Sequence, residues 1–388
     1  MLYQREIKDK IEELARFFPV LVLSGARQTG KTTLLKSLFP KHQYVTLDLP
    51  LEAEFAEESP EEFLKKYSPP VLIDEVQYAP KLFRHLKFVV DSNRETNGQF
   101  ILTGSQKFTL MKEVSDSLAG RCALLELENL SIYELGSIAK EYGKSNGSHS
   151  LLSRGFYPEL WKNLDFPVLE YYRSYFGTYL ERDVRQILNV GSLRDFERFI
   201  RICATRSGNL LNKSDIAKDV GVTLKTINDW LSVLQASNQI SLLEPYFENV
   251  GKRLVKTPKI YFNDTGLLCF LLGLDKESVS QSHLLGAIFE TFIFGELRKY
   301  ISIKKPQATI WFYRDQTKEI DFVILESNTV RMIETKWTER PDLGDVKSLK
   351  EGFFKKYQQE AYICSRGENS TLQNKIKNIN FLDLHSLF

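Results

Sequence analysis

Along the first third of the chain, short apolar runs alternate with polar, helix-spaced segments, a pattern that predicts buried parallel strands separated by helices. Val20 to Leu23 is one such run and ends in Ser-Gly, and Thr33 to Leu38 continues at helical spacing. Tyr44 to Leu49, Val71 to Ile73 and Gln99 to Leu102 predict three further strands, and the acidic stretch EAEFAEESPEEF (52 to 62) a solvated helix face. The segment KEYGKSNGSHS (140 to 150) has no apolar periodicity and predicts a linker, and residues 151 to 190 read as a small, aromatic-rich helical lid. From Asn212, KSDIAKDVGVTLKTINDWLSVLQASNQISLLEPY predicts a helix-turn-helix. Ser214 caps a helix from Asp215 to Val220, Gly221 supplies the turn, and Thr223 caps a second helix to about Ala236 that turns Ile227, Leu231 and Leu234 to the core. A hairpin follows, its turn GKRLVKTPK (251 to 259) carrying Lys252, Arg253, Lys256 and Lys259.

Near the C-terminus, Ile320 to Leu325 and Val330 to Trp337 are apolar runs joined by Glu326-Ser-Asn-Thr329, which predicts a hairpin with a four-residue loop. Pairing Leu325 with Val330 places Asp321 opposite Glu334, and Lys336 on the same face.

A chain of 388 residues is expected to hold two to three domains, and 43% hydrophobic and 26% charged residues are those of a soluble globular protein. A net charge of +2 gives no global basicity, so any nucleic-acid contact must come from a local patch. The four cysteines (Cys122, Cys203, Cys269, Cys364) lack CxxC spacing and the five histidines form no ligand cluster, which excludes a disulfide framework and a zinc site of familiar spacing. The longest apolar run, around GLLCFLLGL (266 to 274), falls short of the roughly 18 residues of a membrane span. Residues 1 to 17 do not resemble a signal peptide, so a cytoplasmic protein without membrane contact is expected.

The strongest chemical signal is PVLVLSGARQTGKTTLLKSLF, where Gly25, Gly30, Lys31 and Thr32 satisfy GxxxxGK[ST] between a strand and a helix. The loop Gly25, Ala26, Arg27, Gln28, Thr29, Gly30, Lys31, Thr32 and Thr33 would wrap the phosphates of ATP with backbone N–H groups at a helix N-terminus. Lys31 would reach the β and γ phosphates and Thr32 would ligate Mg²⁺. Asp74, at the end of the strand in PPVLIDEVQ, suits the water shell of Mg²⁺, and Glu75 can orient or deprotonate the attacking water. Thr103, in Thr103-Gly104-Ser105, lies at a strand end that is either a sensor of the γ-phosphate or a plain turn. Arg121, in LAGRCALLEL, either reaches a phosphate in its own or a neighbouring subunit, the latter implying a homo-oligomer, or forms a surface salt bridge.

GARQTGKTT, VLIDEVQ, ILTGSQ and SLAGRCALLEL, with GFYPEL, YLERDV, YFNDTGLL and GAIFETFI further on, resemble the AAA-type P-loop ATPase family that carries a C-terminal restriction-endonuclease-like domain. The resemblance implies an α/β chain with a P-loop ATPase core (1–138), a linker and helical lid (139–190), a winged-helix-like domain (191–275) and a nuclease-like domain (276–388). Arg182 is the candidate sensor arginine in the lid. A winged helix of this sequence either contacts DNA, mainly through its basic wing, or packs as a scaffold; its outer helix face has one lysine, Lys225, opposed by Asp229.

The set Asp321, Glu334 and Lys336 resembles the PD-(D/E)XK nuclease core, and Glu290 resembles the acid its first helix supplies. Two facing carboxylates repel, and Mg²⁺ or Mn²⁺ shared between them would relieve this, with Lys336 near the attacking water or phosphate. Otherwise Glu334 and Lys336 only form ion pairs with neighbours. Two readings follow: an ATP-driven enzyme acting on DNA through the C-terminal nuclease, or a nucleotide-dependent switch, scaffold or transcription regulator whose nuclease-like domain binds a protein partner or DNA without cutting.

Overall fold

In the computed structural model the N-terminal apolar runs form five strands, β1 (Val20–Ser24), β2 (Gln43–Thr46), β3 (Val71–Asp74), β4 (Phe100–Gly104) and β5 (Cys122–Glu126). The structure describes residues 3–105, 110, 113–114, 116–179, 184, 193–246, 256–316, 318–342, 349, 354, 356–372 and 375–388. By packing the chain divides into two units, Met1–Leu130 with the short segments Tyr157–Lys162 and Ala236–Asn238, and the remainder.

In the first unit the five strands are parallel in the order β2-β3-β4-β1-β5. β1 is an interior strand, with Leu21 between Ile101 and Ala123, and all five of its residues are buried, which is why it reads as an unbroken apolar run. Helix α1 (Lys8–Ala15) precedes β1 and α2 (Lys31–Leu38) follows it. The acidic stretch forms two helices rather than one, α3 (Pro50–Glu58) and α4 (Pro60–Lys66), because Pro60 restarts the helix at its first position. A fifth helix, α5 (Leu82–Ser92), lies between β3 and β4. Since the strands are parallel, the ends of β1, β3 and β4 fall on one edge of the sheet, bringing the loop after Ser24, the acids Asp74 and Glu75, and Thr103 together.

In the second unit, residues 140–150 are helical where the sequence predicts a linker. Helices Ser137–Asn146 and His149–Arg154 are separated only by Gly147 and Ser148. The Tyr142 ring packs under the Arg154 guanidinium, 4.9 Å away, so packing overrides the weak propensity of the Gly/Ser letters. Arg182 lies outside the described residues.

The helix-turn-helix is present as Lys213–Val220 and Leu224–Ala236, with Gly221 in the left-handed conformation between them and Ile227, Leu231 and Leu234 buried. Its first cap is Asn212, not Ser214: the Asn212 side chain accepts from the Asp215 N–H at 3.2 Å. Thr223 caps the second helix as expected, accepting from Thr226 N–H at 3.1 Å. Strands β6 (Asn209–Leu210), β7 (Ile240–Leu243) and β8 (Lys259–Phe262) form a three-stranded antiparallel sheet in the order β6-β8-β7. Immediately after β8, Asp264 ties the unit together. Its Oδ1 accepts from Tyr172 OH at 2.7 Å and Leu267 N–H at 2.9 Å, and its Oδ2 from Phe156 N–H at 2.8 Å. Parts of the GFYPEL and YFNDTGLL motifs therefore meet in a buried structural joint.

The C-terminal sheet follows helix Leu285–Lys304. Its strands are β9 (Thr309–Arg314), β10 (Glu319–Glu326), β11 (Thr329–Thr335), β12 (Gln358–Ser365), β13 (Ser370–Thr371) and β14 (Lys377–Asn380), in the order β13-β14-β12-β11-β10-β9. β9, β10 and β11 run antiparallel, then β12 and β14 join parallel. Leu325 pairs with Val330 as the sequence predicts, but Glu326 also pairs with Thr329, so the turn is only Ser327-Asn328, with Ser327 at φ 52°. Arg331 holds Glu326 at 2.6 Å, which draws that acid into the ladder.

Candidate nucleotide site and a buried ion cluster

The loop from Gly25 to Gly30 leaves β1 in a conformation only glycine tolerates at its first position. Gly25 has φ 148°, and a Cβ there would collide with the Leu127 carbonyl oxygen, fixed in place because Leu127 N–H donates to Ser24 O at 2.8 Å. Gln28 and Gly30 also have positive φ, 62° and 92°. The chain thus curls tightly before α2, and Thr29 Oγ1 donates to Ala26 O at 3.0 Å across the curl. The Gly25→Ala variant is expected to lose about 1–3 kcal/mol of stability and much of its ATP affinity, checked by denaturant melts with and without ATP.

Lys31 is buried, and its Nζ donates to the Gly25 and Ala26 carbonyls, each at 2.9 Å, so the ammonium lies over the mouth of the loop. Thr32 Oγ1 donates to both oxygens of Asp74, at 3.0 and 2.9 Å. Thr33 points outward, exposed. Thr103 Oγ1 donates to Asp74 Oδ1 and accepts from Glu75 N–H at 3.1 Å, so one hydroxyl fixes both acids. Glu75 sits in the left-handed region at φ 56°, an uncommon conformation for a non-glycine residue, and is buried. Its Oε2 accepts from Gln77 Nε2, from Ser105 N–H at 3.2 Å and from Ser105 Oγ at 2.8 Å. Burial pushes the Glu75 pKa up, but the Lys31 ammonium, the Gln77 and Ser105 hydrogen bonds and Arg27 outweigh it and hold the carboxyl below its ordinary 4.5.

Three supporting groups have no role that the sequence assigns, although Gln77 and Ser105 lie within VLIDEVQ and ILTGSQ. Gln77 and Ser105 orient Glu75, and Tyr44 OH donates to Asp74 Oδ2 at 3.1 Å. Burial and the Asp74 charge push the Tyr44 phenol up to about 12, so it remains a donor at neutral pH. Lys36 Nζ lies 3.3 Å from the centre of the Tyr44 ring. Polar letters at a strand end carry no periodicity, so only the fold reveals such contacts.

The expected role of Arg121 at its own nucleotide is corrected. It directly precedes β5, at the edge of the parallel sheet opposite the loop, and is bidentate to Asp91, Nε to Oδ1 at 2.6 Å and Nη2 to Oδ2 at 3.0 Å. It cannot reach a phosphate held by its own Lys31.

In the second unit, the C-terminal candidates meet a residue the sequence assigns elsewhere. Lys259, counted among the wing charges, is buried at the start of β8 with 3% of its side chain exposed, and so cannot contact phosphates. Its Nζ reaches Glu290 at 2.9 Å and Glu319 at 2.7 Å. Tyr261 OH donates to the same Glu290 oxygen at 2.6 Å. Burial lowers the Lys259 pKa, but Glu290, Asp321 and Glu319 together raise it well above the ordinary value, and it stays charged. Burial, then Asp321, push Glu290 up to about 7 against the opposing pull of Lys259 and Tyr261. Of the other wing charges, Lys256 is exposed, while Lys252 and Arg253 lie outside the described residues.

The ladder between β10 and β11 runs to Phe322 and Ile333. At the next step Asp321 turns its Oδ2 to the N–H and Oγ1 of Thr335, both at 2.8 Å. Glu334 is buried and has Lys336 Nζ 3.8 Å away. Among the described residues, no group of three or more His, Cys, Asp or Glu is placed to hold a metal ion. The expected cation shared by Glu290, Asp321 and Glu334 does not fit this arrangement, because an ammonium supplies the countercharge at Glu290 and Thr335 engages Asp321. The four cysteines are free thiols; Cys203, Cys269 and Cys364 are buried and Cys122 is partly buried. No helix among the described residues is long and apolar enough to cross a membrane.

An uncharacterized protein of Mycobacterium tuberculosis is 29% identical over 347 residues, 89% of this chain and 76% of the relative, and one of Mycobacterium bovis matches to the same extent. Similar solved structures include the Walker-type ATPase of Pyrococcus abyssi, 17% identical, covering 70% of this chain and 96% of its own, at a TM-score of 0.48. The RuvB Holliday junction branch migration motor of Thermotoga maritima, also 17% identical, covers 62% of this chain and 89% of its own at 0.33. Two matching family models are each described as a domain of unknown function, DUF8612 over residues 146–278 and DUF4143 over 285–385. A third, described as AAA domain, matches residues 18–136, the stretch that carries the parallel sheet, the glycine loop and both acids, and this part of the chain is a P-loop ATPase domain of the AAA type.

Proposed function

We propose that the chain binds and hydrolyses Mg-ATP and uses the cycle as a switch on a C-terminal domain of nuclease-like topology. The observation that supports it most is the pair of acids at the tip of β3: Asp74 bonded to Thr32, and Glu75 kept ionised beside Lys31. The cradle fits the nucleotide, since the Gly25 to Gly30 curl leaves no room for a side chain at its first position and places Lys31 over its mouth. Bound Mg-ATP would supply the electrophilic γ-phosphorus, with ADP as the leaving group. Lys31 would hold the β and γ phosphates, and Thr32 with Asp74 the ion. Glu75 accepts the proton of the attacking water, and Thr103 keeps the two acids in register. The test is ATP turnover by the full chain and by Lys31→Ala: ATP affinity should fall by at least about 100-fold in the variant, and unchanged affinity would overturn the nucleotide site.

For the C-terminal domain, one helix followed by β9, β10, β11 and then parallel β12 supports a nuclease-like topology, while Lys259 among the acids favours a domain that does not cut in this arrangement. DNA intact after incubation with Mg²⁺ or Mn²⁺ and ATP is the expected result; nicking abolished by Asp321→Ala would establish a nuclease instead. The helix-turn-helix with its three-stranded sheet supports a winged helix, and its second helix offers few charges to phosphate, with Lys225 opposed by Asp229. A homo-oligomer, in which Arg121 serves a neighbouring subunit, is compatible with this reading, as is a cytoplasmic location.

A further inference from the structure

We infer that Arg5 is a positioning residue of the nucleotide loop, holding the peptide between Thr29 and Gly30 so that the Gly30 N–H faces the phosphate site. Arg5 precedes α1, far from any motif in sequence, yet its side chain is buried. One arm of its guanidinium, Nη1, donates to Thr29 O at 2.8 Å, and the other, Nη2, to Glu128 O at 2.5 Å. The planar fork spans two carbonyls at a fixed angle, joining the loop to the segment after β5.

The consequence follows from peptide geometry. In a trans peptide the carbonyl oxygen and the next residue's N–H point in opposite directions. With Thr29 O anchored on the guanidinium, the Gly30 N–H is turned away from Arg5, toward the hollow of the loop. Gly30 caps α2 at φ 92°, a conformation glycine leaves at little cost, so without the anchor this peptide plane is free to rotate. The adjacent atoms are already constrained: Thr29 Oγ1 is on Ala26 O, and Lys31 Nζ on Gly25 O and Ala26 O. The guanidinium adds a restraint on the Thr29 carbonyl itself.

The inference rests on the ATP-binding reading above. It is tested on the full chain by measuring ATP and ADP affinity calorimetrically, kcat and KM for ATP, and melting temperature, in wild type, Arg5→Met and Arg5→Lys. Loop amides serve the phosphates common to ATP and ADP, so Arg5→Met should weaken both by about tenfold while kcat at saturating ATP stays within about twofold. Arg5→Lys, a point donor able to hold one carbonyl, should fall between wild type and Arg5→Met, and gives the readout if Arg5→Met does not fold. A lowered melting temperature with both affinities unchanged would make the contact merely structural and overturn the inference. Loss of ATP but not ADP affinity, or a collapse of kcat alone, would place the guanidinium on the γ-phosphate and overturn it equally. A wild-type chain that binds no ATP removes the nucleotide reading itself.

Discussion

Replacing Glu75 by Gln is expected to lower ATP turnover by about 10²- to 10⁴-fold, the usual worth of a positioned general base, while ATP affinity changes little. Gln keeps one carbonyl oxygen for the Gln77 and Ser105 donors, so the side chain stays where it is and only its charge and basicity are lost. The Lys31 ammonium and Thr32 hydroxyl, which are proposed to hold the nucleotide, are untouched. Single-turnover assays with excess enzyme separate the two effects; turnover near wild type would mean that another group activates the water. The same variant carries a pH signature. The Glu75 pKa is depressed in the folded state, so its contribution to stability is fully present above the ordinary value of 4.5 and is lost as pH falls through the folded value. Glu75→Gln should therefore flatten the acid side of the unfolding profile: the variant lacks this contribution at neutral pH, where wild type has it in full, and matches wild type at acid pH, where wild type has lost it.

The second large effect is expected at Lys259. Removing one member of a buried ion pair strands the other charge, so Lys259→Met should cost about 3–5 kcal/mol in chemical denaturation. Glu319 is partly exposed and can turn to water, whereas Glu290 lies deeper and retains only Tyr261 as a donor among the contacts described above. Pairing Lys259→Met with Glu290→Gln should therefore recover a large part of the loss, and a double-mutant cycle with no coupling would refute the pairing. The outcome also bears on the nuclease question, because a lysine this costly to remove is unlike a surface wing charge that serves DNA.

How much of this could be read from the letters depends on whether a feature repeats along the chain or is made by folding. The strand–loop–helix around Gly25 to Thr32, the acids after β3 and the hairpin pairing of Leu325 with Val330 all announce themselves through local spacing. The hairpin turn was harder, since Glu326 enters the ladder only with Arg331 beside it. The helices at 137–154 were hidden by Gly and Ser letters whose preference the packing of Tyr142 on Arg154 overrides. Lys259 is indistinguishable in sequence from its neighbours Lys252 and Lys256; only the pairing of β8 with β6 and β7 shows that it is buried. Arg5 and Tyr44 act across 24 and 30 residues of chain, a separation that no periodicity encodes.

The strand order carries a consequence for how the protein is made. β1 leaves the ribosome before both of its partners, β4, beginning at Phe100, and β5, beginning at Cys122. Until synthesis passes about residue 126, the most apolar strand of the domain has at least one unsatisfied edge, and the glycine curl lacks the Leu127 and Glu128 carbonyls that shape it. The glycine loop is encoded well before β5 yet is completed only when that last strand of its sheet docks. A nascent chain halted before that point would present an aggregation-prone edge in place of an ATP site.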